Sequence, residues 1–445
     1  MSHNLRRDLG TIESYAALLG VLIGAGIFKV TGTAWQLTGP SVILGYLVLA
    51  VAILATSVPY SVFLSTPLGR EPGGEYTHIS RTFGGRGFAF VGAWLKVISY
   101  VGAMAFLARA FADYARELFG GGNAMLISVG LLVFFYAIHV AGVRWFGRLQ
   151  VWMCIVLGIS IVVLVGPGLF FIRLSNYRPF FTHGFGGFAE SLPPLFFAYC
   201  GFESLAQTAG EVRDSTRRLP AIFLRGITAT TVIYVLMCVV AFGVLPASRL
   251  RVADAPMAEA AARYLPFGAA VLVTIGAIMA LTTSVNATML VPSRIAIMLA
   301  EDRVAPRWIG RVSVRTGTPI IGLTLTLITA LLLLVSGQVS LALNIAVFAL
   351  VVLYLIHSIA LLLLPKLNRP LYDAVTVRIP RSVQVIAAVV SIGSMAAIIA
   401  LQLRDLALIK LVVVWSVIGV ALYLVRSRGV ADRGTAGGVE NAEET

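Results

Sequence analysis

The chain is written as long apolar runs separated by short polar punctuation. A helix needs about 20 apolar residues to cross the hydrocarbon core of a bilayer at a rise of about 1.5 Å per residue. Runs of that kind recur twelve times, near 10–35, 40–64, 86–115, 123–143, 149–172, 187–211, 222–246, 265–299, 319–336, 340–364, 383–402 and 406–425. The longest polar connections, around 65–86, 247–264 and 300–318, are too short to bury a core and read as amphipathic connectors. Beyond Val425 apolar residues give way to glycine and charge, so 426–445 reads as disordered tail. The pattern predicts an all-α polytopic membrane protein with twelve transmembrane helices.

Two runs interrupt their own pattern. The first reads GVLIGAGIF from Gly20 to Phe28, and each of Gly20, Gly24 and Gly26 costs about 1 kcal/mol against alanine in a helix interior. In the sixth, LPPLFFAYCGFESLAQTAGE, Gly201 and Glu203 break an aromatic run after Pro193 and Pro194. Backbone that leaves the helix inside a membrane has no partner in lipid, so such a break marks a cavity or a site buried in protein. Runs one and six occupy corresponding positions if the first ten form two five-helix repeats, and paired breaks of this kind point to a secondary transporter with an inverted repeat. The half-helix N-termini would offer N–H groups to a carboxylate, and the unwound carbonyls would take an ammonium. The competing reading of Gly20 and Gly24 is a small-residue contact between packed helices.

Composition removes the soluble classes. The chain is 58% hydrophobic and 12% charged, with a mean hydropathy of +0.91, which no water-soluble globule of this length accommodates. The net charge of +14 is a topology signal rather than a nucleic-acid footprint. With the N-terminus in the cytoplasm, 22 Lys/Arg fall in inside segments and 8 in the opposite loops, which sets both termini inside. The first run reads as part of the body of the protein rather than a cleavable signal peptide. Cys154, Cys200 and Cys238 lie within runs and read as packing residues, and the five histidines are scattered, so no disulfide, metal site or cofactor is expected. No nucleophile, base and orienting group occur together, which disfavours an enzyme.

Lys29, Lys96, Arg109 and Arg294 fall inside the runs, where each charge costs about 2.5–3.5 kcal/mol on insertion scales. Arg109 and Asp113, four apart, are expected to pair along one helix face. Lys29, one turn past the glycines, and Lys96, ten residues into the third run, need a carboxylate, with Glu190 and Glu203 as candidates. A buried lysine readily releases its proton, so either is a candidate for coupling transport to a proton gradient. Glu203 either braces the sixth-run break or takes up a proton. Glu211 with Arg213, Arg217 and Arg218 forms either a gating ion pair or a solvated loop.

These motifs resemble those of the amino acid-polyamine-organocation permeases. The resemblance rests on GVLIGAGIF and FFAYCGFESLAQTAGEVRDSTRRLP, supported by SYVGAMAFLARAFADY in the third run and IGAIMALTTSVNATM with LAEDRVAPRW in and after the eighth. It extends over residues 10–425, departing at Lys29 and Ser215. It implies a tail at 1–9, a first five-helix repeat at 10–180, an inverted second repeat at 181–366, and two further helices at 367–425. By the same resemblance, backbone at Gly24, Ala25 and Gly26 holds a substrate carboxylate, and carbonyls near Leu22, Ile23, Phe197 and Ala198 receive an amine. Phe197 falls at the position of an aromatic lid, against the plainer alternative of helix packing, and Cys200 and Gly201 line the pocket. Thr282 and Thr283 stand where related transporters hold sodium, and the run-five stretch from Val151 lacks the lysine that replaces it in some proton-driven relatives. The implied function is plasma-membrane transport of a small amino acid by alternating access, through proton-coupled symport or exchange. Sodium coupling, amine or polyamine transport, and a non-transporting sensor stay open.

Overall fold

The computed structural model describes residues 5–24, 26–245 and 256–440. Regular structure among them is helical, apart from one parallel bridge between Leu9 and Val212. Ten helical segments among the described residues are long and apolar enough to cross a membrane. They correspond to runs one to five, seven, eight and ten to twelve. The two remaining runs fall short for different reasons. The sixth is broken into Gly184–Phe197 and Ser204–Gln207, and the ninth, Ile320–Val335, is one unbroken helix of 16 residues. The runs are called spans below.

Capping sets several boundaries. Span three, Arg86–Phe119, stops at Gly120, whose left-handed backbone (φ 74°) returns its N–H to the Arg116 carbonyl. Span four, Ala124–Ala141, starts where the Asn123 side chain accepts from the N–H groups of Met125 and Leu126. Span three is the central post of the bundle, packed against span eight (Phe267–Glu301) and span ten (Val339–Leu367). Span one lies against spans five, seven and eight, and span seven (Ser215–Val244) against span two (Val42–Leu64). The last helix, Leu406–Glu440, meets span three through Trp94 and Trp415, whose rings stack at 4.5 Å. Each indole N–H of that pair donates to the other residue's carbonyl, at 2.9 and 3.1 Å. The backbone helix of this element continues past Val425 into the stretch expected to be a disordered tail.

The connector at 65–86 departs from its expectation as an amphipathic surface segment. Gly73 and Gly74, at φ 92° and 46°, turn the chain inward, and the helix Glu75–Phe83 that follows is buried along most of its length against spans three and ten. Glu75, Tyr76, His78 and Ile79 are all enclosed.

Glu211 is likewise not part of a solvated loop. It forms a two-pronged, fully buried ion pair with Arg294 of span eight, at 2.7 Å (Nη2–Oε1) and 3.2 Å (Nε–Oε2). Beside it the N-terminal segment is tied down, with Leu9 N–H donating to the Glu211 carbonyl at 3.1 Å and Arg213 N–H to the Leu9 carbonyl at 2.9 Å. Arg218 instead reaches Asp214 (2.8 Å) and Thr11 (2.9 Å) in an exposed setting. Arg109 and Asp113 do pair, at 3.4 Å and about two-fifths exposed, where such a contact contributes little.

A buried pair punishes the loss of one partner more than the loss of both. Arg294→Met is therefore expected to lower stability by about 3–5 kcal/mol by leaving the Glu211 carboxylate uncompensated. Glu211→Leu combined with Arg294→Met should recover most of that loss in thermal unfolding, and a double variant as unstable as the single one would contradict the account.

Candidate functional site

Span one loses its helix where the glycines predict. Thr11–Leu22 ends, Ile23 adopts a non-helical backbone (ψ 58°), and Gly24 N–H bonds only two residues back, to Leu22 O at 2.7 Å. A π-turn over Gly26–Val30 leads into a second helix, Thr31–Thr38. Span six breaks over 198–203, with Gly201 at φ 101°.

The two breaks touch each other, which accounts for the glycines. A Cβ on Gly26 would lie 2.3 Å from Ala198 Cα, one on Gly201 2.7 Å from Val21 Cγ2, and one on Gly24 1.9 Å from Ser284 Oγ. Gly20 serves the other purpose considered for these residues. Its missing side chain admits Gln150 and Cys154 of span five, whose nearest atoms would be 2.4 and 2.9 Å from a Cβ.

Freed carbonyls find hydroxyls from neighbouring spans and from Thr31 of span one itself. Tyr234 OH of span seven shares its one proton between Leu22 O and Ala198 O, the latter at 2.7 Å. Gly26 O accepts from Thr31 (3.1 Å), Phe28 O from Tyr114 (3.1 Å), and Gly20 O from Thr283 (2.8 Å) and Ser284 (3.2 Å). This is the internal satisfaction that unwound backbone requires away from water. It also brings carbonyls of both spans to within one hydroxyl of each other.

Between the breaks lies a cavity of about 30 Å³. Leu22, Gly26, Phe197, Ala198, Cys200 and Gly201, all named from the sequence, line it. Phe197 forms a wall, edge-on to Phe106 at 5.7 Å. Ile23 turns its side chain into a separate apolar groove with Leu19 and Cys154, and Ala25 and the Lys29 side chain lie outside the described residues. Sequence reasoning missed Ser99, Tyr100, Ala103 and Leu107 of span three, Ser284 and Thr288 of span eight, and Ala346 and Leu350 of span ten. Single small residues in long apolar helices carry no local signal. SYVGAMAFLARA and TTSVNAT held most of them in view without marking which face turns inward.

Glu203 lies against the span-six break. Its oxygens accept from Tyr100 OH (2.7 Å), from Tyr354 OH, and from Gly201 N–H in the break itself (3.0 Å). Lys96 reaches neither of the carboxylates first considered for it. Its Nζ lies 2.6 Å from Glu75 Oε2 of the buried connector helix, and Glu190 is exposed elsewhere. Thr282 bonds back to Met279 O (2.9 Å) in its own helix, whereas Thr283 reaches across to span one. The position between spans one, five and eight holds the amide of Gln150. Its Nε2 donates to Ala16 O and Thr283 O, both at 3.2 Å, and its Oε1 accepts from Asn286 at 2.7 Å. Gln150 immediately precedes the lysine-free stretch of span five that begins at Val151.

The amino acid permease family matches residues 9–425 of the chain. A branched-chain amino acid permease of Bacillus subtilis is 24% identical over 71% of this chain and 72% of its own length. A methylthioribose transporter of the same organism is 26% identical, over 74% and 75%. A chloroplastic cationic amino acid transporter of Arabidopsis thaliana is 28% identical over 69% of this chain, which spans only 58% of that relative.

Backbone contact between the breaks makes a sharp comparison of two glycines. Gly26→Ala should force spans one and six apart and cost about 1–3 kcal/mol, as overpacking does. Gly158→Ala, which meets nothing within 4 Å, should leave thermal stability unchanged or raise it slightly. Equal melting temperatures for the two variants would contradict the packing described.

Proposed function

The chain belongs to the amino acid permease family, and from that premise we propose that it carries a small neutral amino acid across the plasma membrane by alternating access. The observation that supports this reading best is the meeting of two mid-membrane helix breaks over one small cavity. The cavity as it stands has room for about one water; opened further, it would offer an ammonium Leu22 O and Ala198 O, which already converge on Tyr234 OH. A carboxylate fits the backbone that restarts at Gly26, and the side chain faces Ala103, Leu107, Ala346 and Leu350. In this reading residues 10–180 and 181–366 are inverted repeats that rock about the site, with both termini in the cytoplasm and spans eleven and twelve outside the moving core.

Charge favours a neutral substrate. Glu203, beside the lining, already accepts from three donors, so among the described residues the cavity offers no unengaged anion to a cationic side chain. Among the relatives, the branched-chain permease therefore fits the apolar wall better than the cationic transporters do. The Gln150 amide bears on the driving ion. A neutral group already donates to Ala16 O and Thr283 O, and the Thr283 hydroxyl is engaged with Gly20 O, which favours protons or substrate exchange over sodium.

Reconstitution in proteoliposomes tests this directly. Uptake of a labelled small neutral amino acid should persist when choline replaces sodium, and neutral aliphatic amino acids should compete while lysine and arginine do not. Equal competition by cationic amino acids would overturn the neutral class, a strict sodium requirement would overturn the role given to Gln150, and absence of flux for any amino acid would overturn transport. Phe197→Ala should weaken apparent affinity by about tenfold, or roughly 1.4 kcal/mol, and unchanged uptake kinetics would remove Phe197 from the site.

A further inference from the structure

Adjoining the cavity, and sharing Tyr100 with its lining, lies a second buried cluster centred on Glu75. The Glu75 carboxylate accepts hydrogen bonds from Lys96 Nζ at 2.6 Å, from Gln207 Nε2, and from Tyr60 OH of span two. Lys96 Nζ in turn stands 5.4 Å from the centre of the Tyr100 ring, and Tyr100 OH donates to Glu203 at 2.7 Å. Tyr354 of span ten also donates to Glu203. All of these groups are buried.

The charge count does not close. Two carboxylates, Glu75 and Glu203, share one ammonium, Lys96. The other ionisable groups facing the cluster add no positive charge. His78 Nδ1 and His357 Nε2 are hydrogen-bonded to each other at 3.0 Å with their rings stacked, so one nitrogen must accept, and burial lowers His78 to about 3. Tyr60, Tyr100, Tyr354 and Cys200 contribute neutral side chains. Arg81, on the same connector helix, is engaged with Asp302 at 3.5 Å. A single enclosed negative charge remains, and a proton is the simplest way to neutralise it.

The surroundings favour Glu75 as its holder. Gln207 is the neighbour whose side-chain amide can present either of its ends to Glu75. Exchanging the two ends of that amide, which occupy nearly the same space, places an acceptor against Glu75 Oε2, where a carboxyl proton would be donated. Burial also pushes the Glu75 carboxyl above its ordinary range, with Lys96 opposing the rise and Glu203 adding to it. Glu203 also faces three donors, but one of them is the backbone N–H of Gly201, which can only donate and so holds that side of the carboxylate as an acceptor. Gln207 ends the short helix that follows the span-six break, so the protonation of Glu75 is tied to the segment that shapes the cavity.

We propose that Glu75 carries the coupled proton of the transport cycle, with Lys96 setting its affinity and Gln207 transmitting its state to the break in span six. This rests on the transport reading above. The step is a simple exchange of a proton between the Glu75 carboxyl and water as the cluster opens and closes.

The test uses the full chain in proteoliposomes. Wild-type protein should accumulate a neutral amino acid in response to an imposed pH gradient. Glu75→Gln should keep substrate counterflow within about threefold of wild type and lose the response to the gradient. Lys96→Met should keep that response but move the midpoint of its pH dependence to more alkaline values, because the ammonium that favours the carboxylate is gone. Gradient-driven accumulation by Glu75→Gln equal to wild type overturns the proposal. Should that variant fail to fold, a pH-indicator dye in weakly buffered detergent decides on wild type, where adding substrate should change the bound protons by about one per protein near the midpoint and no change overturns the proposal. Wild type that exchanges substrate yet ignores the gradient sinks this inference alone, whereas wild type without any exchange sinks the transport reading.

Discussion

Everything in this structure follows from one constraint: inside a bilayer, a backbone group that leaves its helix must find its partner within the protein. Spans one and six both leave theirs, at Ile23–Gly24 and around Gly201. Neither break would be tolerable alone against lipid. They become tolerable together because Gly26 lets Ala198 approach to backbone contact and because hydroxyls of Thr31, Tyr114, Tyr234, Thr283 and Ser284 serve the freed carbonyls. The site is thus a by-product of solving the hydrogen-bond problem. Groups brought in to satisfy the backbone are the ones that leave polar atoms aimed at a common point.

The same constraint governs the charges. Desolvation makes an isolated ion in the bundle far more costly than a paired one. Accordingly the buried ions lie in partnered settings: Arg294 with Glu211, Lys96 with Glu75, and Glu203 beneath two tyrosines and a backbone N–H. The partners come from distant parts of the chain, so each ion pair also staples elements together. Glu211–Arg294 joins the end of span six to span eight, and Glu75–Lys96 fixes the connector helix to span three. Rocking of the spans in a transport cycle would have to break or preserve these staples as units, which places the energetic control of motion at a few residues.

Much of the architecture was legible because the period of hydrophobicity and the helix breakers are local properties. Span boundaries read from apolar runs lie mostly within a few residues of the helices, and GVLIGAGIF and AYCGFES marked both breaks. What stayed hidden depended on tertiary neighbours. Glu75 carries no signal of its own in a segment that reads as an amphipathic connector, and only the turn at Gly73 and Gly74 carries it inward. Lys96 was visibly buried, yet its partner lies in that same connector. Gln150 stood at a span boundary, where a polar residue attracts no attention. Span ten contributes Ala346 and Leu350 to the cavity with no motif at all.

The central claim, that the paired breaks enclose the substrate, is most directly tested at Cys200, which lies in the cavity wall. With Cys154 and Cys238 replaced by serine, Cys200 is the one thiol left in the chain, and its rate of alkylation in proteoliposomes can be followed during turnover. Saturating small neutral amino acid should slow that alkylation in proportion to occupancy, while lysine or arginine should leave it unchanged. An alkylation rate indifferent to an amino acid that the protein demonstrably binds would place the binding site elsewhere.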